Sequence, residues 1–248
     1  MSGHSKWRTI KRKKEKTDGA RAKVFTKIGR ELAVAVKQGG PDPSSNSKLK
    51  DVIAKAKAAN IPNDNIDRAI KKAAGNSEAD SYESIVYAGY GPNGIAIIVE
   101  TLTDNRNRTA GAVRHYFDKY GGNMGQSGCV SFMFERYGVI AIEKEDVDED
   151  TLMEAAIDAG AVDFLTEDDT VFEIRTEPND LGTVRDALEE KGYTFVNADV
   201  EYVPSTYVKL TEEGDLKNMS NMIDMFDEDE DVQAVWHNWE NPEDADEL

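Results

Sequence analysis

The chain has 248 residues with 48 Asp/Glu against 30 Lys/Arg, a formal charge of −18. That length suffices for two or three compact domains, each with its own core. A single cysteine, Cys129, excludes a disulfide framework and a multi-cysteine zinc site, and no apolar run approaches the roughly 18 residues of a membrane span.

The chain opens on charged residues with no apolar segment behind them, so no secretory signal is expected and a cytoplasmic location follows. Residues 1–16 hold only Trp7 and Ile10 as large apolar side chains and read as an arm that cannot bury enough surface to fold alone. From Asp18 the period becomes helical, with Phe25, Ile28, Leu32, Ala35 and Val36 on one stripe that ends at Gly39-Gly40. After Pro41-Asp42-Pro43, Asn46 is placed to cap a second helix with Leu49, Val52, Ile53 and Ala56 inward. Asn60 and Pro62 separate it from a third helix, whose inner face is Ile66, Ala69, Ile70 and Ala73.

Small polar residues at 76–81 read as a linker. Strands are expected at Tyr82–Tyr90 and Ile95–Leu102, joined by a turn, then a helix from Asn105 to Tyr120 capped by Asp104. Cys129–Phe134 resembles a further strand, with Cys129 a small buried residue on it. Residues 136–203 run strand, helix, strand, strand, helix, strand, the split-βαβ order of ferredoxin-like folds. The remaining segment is too small to stand alone and is expected to complete the sheet begun near residue 82. The expected fold is therefore α+β. A three-helix domain (1–78) precedes two ferredoxin-like α/β domains, one discontinuous (79–135 plus 204–248) and one inserted into it (136–203).

The charge is segregated. Residues 1–75 carry 19 Lys/Arg against 7 Asp/Glu, a net of +12, while the remainder carries 11 against 41, a net of −30. Such opposite ends suggest a polyanion-binding module on a body that repels polyanions. The candidate nucleic-acid-binding residues are Lys6, Trp7, Arg8, Lys11, Arg12, Lys13, Lys14, Lys16, Arg21, Lys23, Lys27 and Arg30. The cations would neutralise phosphates and release counterions, and the indole of Trp7 suits stacking on a base. A merely solvating tail would need the charges but not the aromatic.

Asp104-Asn105-Arg106-Asn107-Arg108, with Arg114 beyond, is the only basic cluster in the acidic body. Arg106, Arg108 and Arg114 are either a second contact or pair with neighbouring carboxylates. The Gly121–Gly128 loop suits a surface turn better than a close approach to a ligand. Gly89, Gly91 and Gly94 match a dinucleotide fingerprint by letter, but a strand follows where a phosphate-binding helix is required, so a hairpin turn is expected. His4, His115 and His237 lack metal-ligand spacing, and no nucleophile elbow or P-loop is present. No catalytic residue, metal or cofactor is expected, and the chain is not expected to be an enzyme.

The sequence resembles the YebC/PmpR family. The resemblance rests on Gly3-His4-Ser5-Lys6-Trp7 with Ile10-Lys11 and Lys14, on Phe25-Thr26-Lys27, on Gly39–Pro43 with Asn46, and on Ala59-Asn60-Ile61-Pro62. It continues through Ile66–Ile70, Thr103–Thr109, Val113-Arg114, Gly121–Gly128 with Phe132, and Asp231-Val232-Gln233 with Val235, spanning essentially the whole chain. It implies three domains, a helical one and two of α/β type. It also implies one of several roles: bacterial relatives are labelled probable transcriptional regulators that bind DNA, and a mitochondrial relative is the translational activator of cytochrome c oxidase subunit I. Others are described as ribosome-associated factors that relieve stalling at proline-rich stretches.

The expected function is a non-enzymatic, nucleic-acid-binding regulator of gene expression, foremost an RNA- or ribosome-directed translation factor whose arm and first helix grip rRNA or tRNA. A DNA-binding transcriptional regulator is the second reading and a protein–protein adaptor the third.

Overall fold

The computed structural model describes residues 18–75 and 82–247; the expectations for the arm at 1–16 and the linker at 76–81 lie outside them. In chain order the elements are α1 (Asp18–Gly39), α2 (Ser47–Ala58), α3 (Asn63–Gly75), β1 (Glu83–Tyr90), β2 (Ala96–Thr103) and α4 (Arg106–Lys119). There follow β3 (Asn123–Met124), β4 (Phe134–Glu143), α5 (Glu149–Ala159), β5 (Asp163–Leu165), β6 (Val171–Thr176) and α6 (Leu181–Glu190). The chain closes with β7 (Asn197–Pro204), α7 (Glu213–Glu228) and β8 (Val232–His237). The fold is α+β, a helical N-terminal segment followed by two four-stranded antiparallel sheets with their helices.

The described residues divide into two compact units, residues 18–75 with 136–201, and residues 82–135 with 202–247. The helical and βαββαβ segments thus fall together in the first unit. In the helical segment α2 and α3 each pack along α1 and only graze one another. The shared core is Ile28, Leu32, Ala35, Val36, Leu49, Val52, Ala56, Ile66 and Ala73. It begins at Ile28. Phe25, expected on the inner stripe, is 39 % exposed because it lies one turn before the point where α2 and α3 meet α1.

The turn from α1 to α2 is built around Asn46. Its buried side chain donates from Nδ2 to the carbonyls of Ala35 and Gly40, each at 2.8 Å, while Oδ1 accepts from the N–H of Leu49 at 3.0 Å. Gly40, at φ +86°, supplies the left-handed residue that stops α1. A Cβ on Gly39 would fall 2.6 Å from Asn46 Cγ, so the turn and the cap require each other.

The sheet of the inserted segment has the order β5-β6-β4-β7, the arrangement that a βαββαβ chain gives when each crossover skips one strand. Ile140, Ile142, Phe172 and Ile174 alternate onto the face covered by α5 and α6, against Leu152, Val184 and Leu188. In the second unit the order is β3-β1-β2-β8, so α4 crosses from β2 to β3 over β1, and β8 joins only after the insertion. The β2 strand is covered on both faces. Ile97 and Val99 meet Phe117, Met219, Met222 and Phe226, whereas Ala96 and Ile98 meet Val130, Phe134 and Trp236.

Two expectations are corrected here. The cap of α4 is Asn105, whose side chain accepts from Arg108 N–H, and not Asp104. Cys129–Phe134 is no strand: a short 3-10 turn covers Ser131–Met133, β4 starts at Phe134, and Cys129 is only partly buried. Gly128, at φ +79°, turns the chain just before Cys129, so the stretch cannot run as an extended ladder, which composition alone does not reveal.

Candidate nucleic-acid interface

Lys6, Trp7, Arg8, Lys11, Arg12, Lys13, Lys14 and Lys16 lie outside the described residues, and of Arg21 only its place in α1 is described. Lys23, Lys27 and Arg30 follow at spacings of four and three. With 3.6 residues per turn they fall within about 60° of one another on α1, away from the core stripe of Ile28, Leu32 and Ala35. Lys23 is exposed, and Lys27 and Arg30 are half-buried. The helix therefore presents its cations as a row, on the rigid element that carries the arm.

Lys50, Lys55 and Arg185 are engaged by carboxylates within the first unit. Lys55 Nζ lies 3.0 Å from Glu31 of α1 and 2.8 Å from Asp199 of β7. Burial alone would lower its pKa; the two carboxylates outweigh that and raise it well above the usual lysine range. Arg185 of α6, 2 % exposed at its side chain, reaches Asp51 of α2 at 2.7 Å and Asp186 at 2.9 Å, and Lys50 also pairs with Asp186. Burial pushes Asp186 upward, but hydrogen bonds from Lys50 and Arg185 overcome it and hold the carboxyl below its ordinary value. Sequence reasoning missed this network. One signal was present: Leu181, Val184, Arg185 and Leu188 occupy a single helical stripe, and an arginine amid that apolar series needs a partner.

The Asp104–Arg108 element is also partly engaged. Arg108 Nη2 lies 2.7 Å from Asp231 Oδ2 and 2.8 Å from Asp104 Oδ1, and these bonds raise its pKa. Asp231 is buried at the start of β8, and its Oδ2 lies 2.8 Å from the hydroxyl of Thr109 and 3.3 Å from that of Thr103. Arg108 thus closes a polar cluster between the end of β2, the start of α4 and β8, while half of its side chain stays exposed. Arg106 and Arg114 are exposed, about 80° apart around α4, with Arg108 about 160° from Arg106. The three do not share one face. Burial, ahead of the charges around it, raises the pKa of Tyr87 beside Arg106.

In the glycine-rich loop, a Cβ on Gly122 would lie 2.5 Å from the carbonyl of Tyr90, and one on Gly125 would lie 2.5 Å from Cys129 Sγ. These glycines let the loop lie flat against β1. Phe132 stands 78 % exposed beyond it. No group of three or more His, Cys, Asp or Glu among the described residues could hold a metal ion, and no described helix is long and apolar enough to cross a membrane.

Comparison with known proteins gives a consistent result. The model of the TACO1/YebC protein N-terminal domain matches residues 5–76, and that of the TACO1/YebC second and third domain matches residues 82–239. A protein of Ruminiclostridium cellulolyticum, named a probable transcriptional regulatory protein, is 61 % identical over 88 % of this chain and 88 % of its own length. A protein of Acetivibrio thermocellus with the same name is 62 % identical over 89 % of this chain and 91 % of its own. The crystal structure of a conserved hypothetical protein from Aquifex aeolicus superposes with a TM-score of 0.80 at 42 % identity, covering 91 % of this chain and 92 % of that one.

Proposed function

The chain belongs to the TACO1/YebC family, and on that basis we propose that it is a nucleic-acid-binding regulator of gene expression that acts on RNA at the ribosome, assisting elongation through difficult, proline-rich stretches. The observation that carries the reading is the separation of charge: +12 in residues 1–75 against −30 in the rest. The basic residues of the arm and of the row on α1 would bind phosphates, and Trp7 would stack on an unpaired base. The acidic body is repelled by phosphate, so only one end of the molecule engages. Irregular RNA with splayed bases suits such an end better than a duplex read along its groove. Such a role requires binding and no turnover.

A second reading, a DNA-binding transcriptional regulator, is favoured by the name borne by the Ruminiclostridium and Acetivibrio relatives. Cosedimentation separates the two. The full chain is expected to travel with ribosomes at low salt, and removal of residues 1–16 to abolish this. Absence of cosedimentation, together with nanomolar sequence-specific duplex binding at physiological salt, would overturn the RNA reading in favour of the second.

A further inference from the structure

Because α2 and α3 lean on α1 and barely touch each other, an open groove of about 680 Å³ runs between them. That volume falls within the roughly 300–1,000 Å³ of small-molecule pockets. The turn between the two helices keeps them apart, with Asn60 in the left-handed region at φ +56°. Ile66 is buried at the base of the groove. Ile53 and Ile70, both expected inward from the sequence, are left half-covered and line it. Pro41 and Pro43 also line it, on the turn that Asn46 fixes.

The lining is apolar below, and its rim carries two lysines and one carboxylate, Asp67. Lys57 on α2 and Lys71 on α3 stand exposed on opposite banks, and among the described residues neither ammonium has an ion-pair partner. This contrasts with Lys50 and Lys55 of the same α2, both engaged by carboxylates. The wall is thus apolar surface with a lysine on either bank and Asp67 one turn before Lys71, a net charge of +1. A single-stranded nucleic acid repeats the complementary pattern, a flat ring of low polarity on a backbone with one negative charge per nucleotide.

We propose that the α2–α3 groove is a subsite for one unpaired nucleotide of a single-stranded RNA, its base lying against Ile53 and Ile70 and its flanking phosphates on Lys57 and Lys71. The proposal rests on the nucleic-acid reading above and adds a second point of attachment beyond the arm. With the arm on α1 and the groove between α2 and α3, the helical segment holds a strand at two places, which favours RNA long enough to reach both.

The test uses the full-length chain and a ten-nucleotide oligouridine carrying one 4-thiouridine. Anisotropy gives the affinity at several salt concentrations, and ultraviolet crosslinks are mapped by mass spectrometry. The double variant K57E/K71E, at two exposed positions, is expected to keep the wild-type melting curve and bind about tenfold more weakly. Two lost phosphate contacts should reduce the salt slope by about 1.4, at about 0.7 per contact on a single strand. Crosslinks are expected on the peptides that contain Ile53 and Ile70, and I53A/I70A should weaken binding several-fold at an unchanged salt slope. If the wild-type chain binds the oligonucleotide but both variants bind equally well and crosslinks fall elsewhere, the groove is overturned and the nucleic-acid reading stands. If the wild-type chain binds no RNA even at low salt, that reading fails as well. Displacement of the oligonucleotide by polyglutamate at equal charge would show a groove that reads charge alone, and would overturn base recognition.

Discussion

The guanidinium of Arg185 and the carboxylate of Asp51 meet at 2.7 Å, joining residues 134 positions apart in the chain. Through this pair α6 of the βαββαβ segment is bonded to α2 of the helical segment inside one compact unit. Arg185 is the buried partner and Asp51 is half-exposed, so truncating the arginine opens a gap in the α6 stripe while Asp51 stays open to water. Arg185→Ala is therefore expected to cost about 1–3 kcal/mol in urea unfolding. A loss below about 0.5 kcal/mol, the usual scale for a surface substitution, would refute a structural role for the pair. The lowered pKa of Asp186 sets the acid limit of the network: its contribution is present above the unfolded value of about 3.9 and fades as pH falls through the folded value.

Lys55 sets the opposite limit. Its pKa is raised on folding, so its contribution is complete below the unfolded value of about 10.4 and is lost as pH climbs toward the folded value. The stability gap between wild type and Lys55→Met should hold level from pH 6 to 9, at about 1–3 kcal/mol, and narrow above about pH 10.5. Denaturant midpoints across that range provide the measurement, and a gap that widens with pH would contradict the assignment.

Asn46 offers a graded series. Asn46→Ala loses the cap to Leu49 and both bonds across the turn, and should cost about 2–3 kcal/mol. Asn46→Asp keeps the acceptor but has no donor for Ala35 and Gly40, so it should fall between the wild type and Ala. Gly39→Ala should also destabilise, since its methyl would meet the Asn46 side chain. Thermal melts rank the three; an Asp variant as stable as the wild type would remove the donor bonds from the account.

In the second unit, Asp231→Ala should cost about 2–4 kcal/mol, because the Thr103 and Thr109 hydroxyls and Arg108 all lose their shared acceptor. Arg108→Ala should cost less, about 1 kcal/mol, since half of that side chain is in water. If Arg108 also meets RNA, its replacement should lower ribosome cosedimentation by more than the small stability loss explains.

Periodicity made most of the fold legible. The helical stripes through Leu32, Leu49 and Val113 and the alternation of Ile140 and Ile142 are local patterns that burial imposes on sequence, and each lies in the core. The stretch around Cys129 was misread because its apolar residues mimic a strand while the glycines before it set the real path. The pattern places Ile53 and Ile70 inward, yet they line an open groove, because a helix face records where apolar side chains point, not whether a neighbouring helix covers them. The pairings of Arg185 with Asp51 and of Lys55 with Asp199 join distant positions, and charge balance does not name partners. The basic residues of α1 were legible as charge, and their shared face followed from helical geometry.

The position of β8 has a consequence for biosynthesis. The β2 strand acquires its second neighbour only when residues 232–237 appear, after the whole of 136–201 has been made. At about 5–20 residues per second, that leaves the β1–β2 hairpin waiting on the order of ten seconds with one edge unpaired. During the same interval Ile97 and Val99 lack the α7 side chains that will cover them. The inserted βαββαβ segment can close meanwhile, because all its strands are consecutive. A message cut short after residue 204 would thus yield one finished sheet and one sticky, incomplete one, a product prone to aggregate and a ready target for chaperones and proteases.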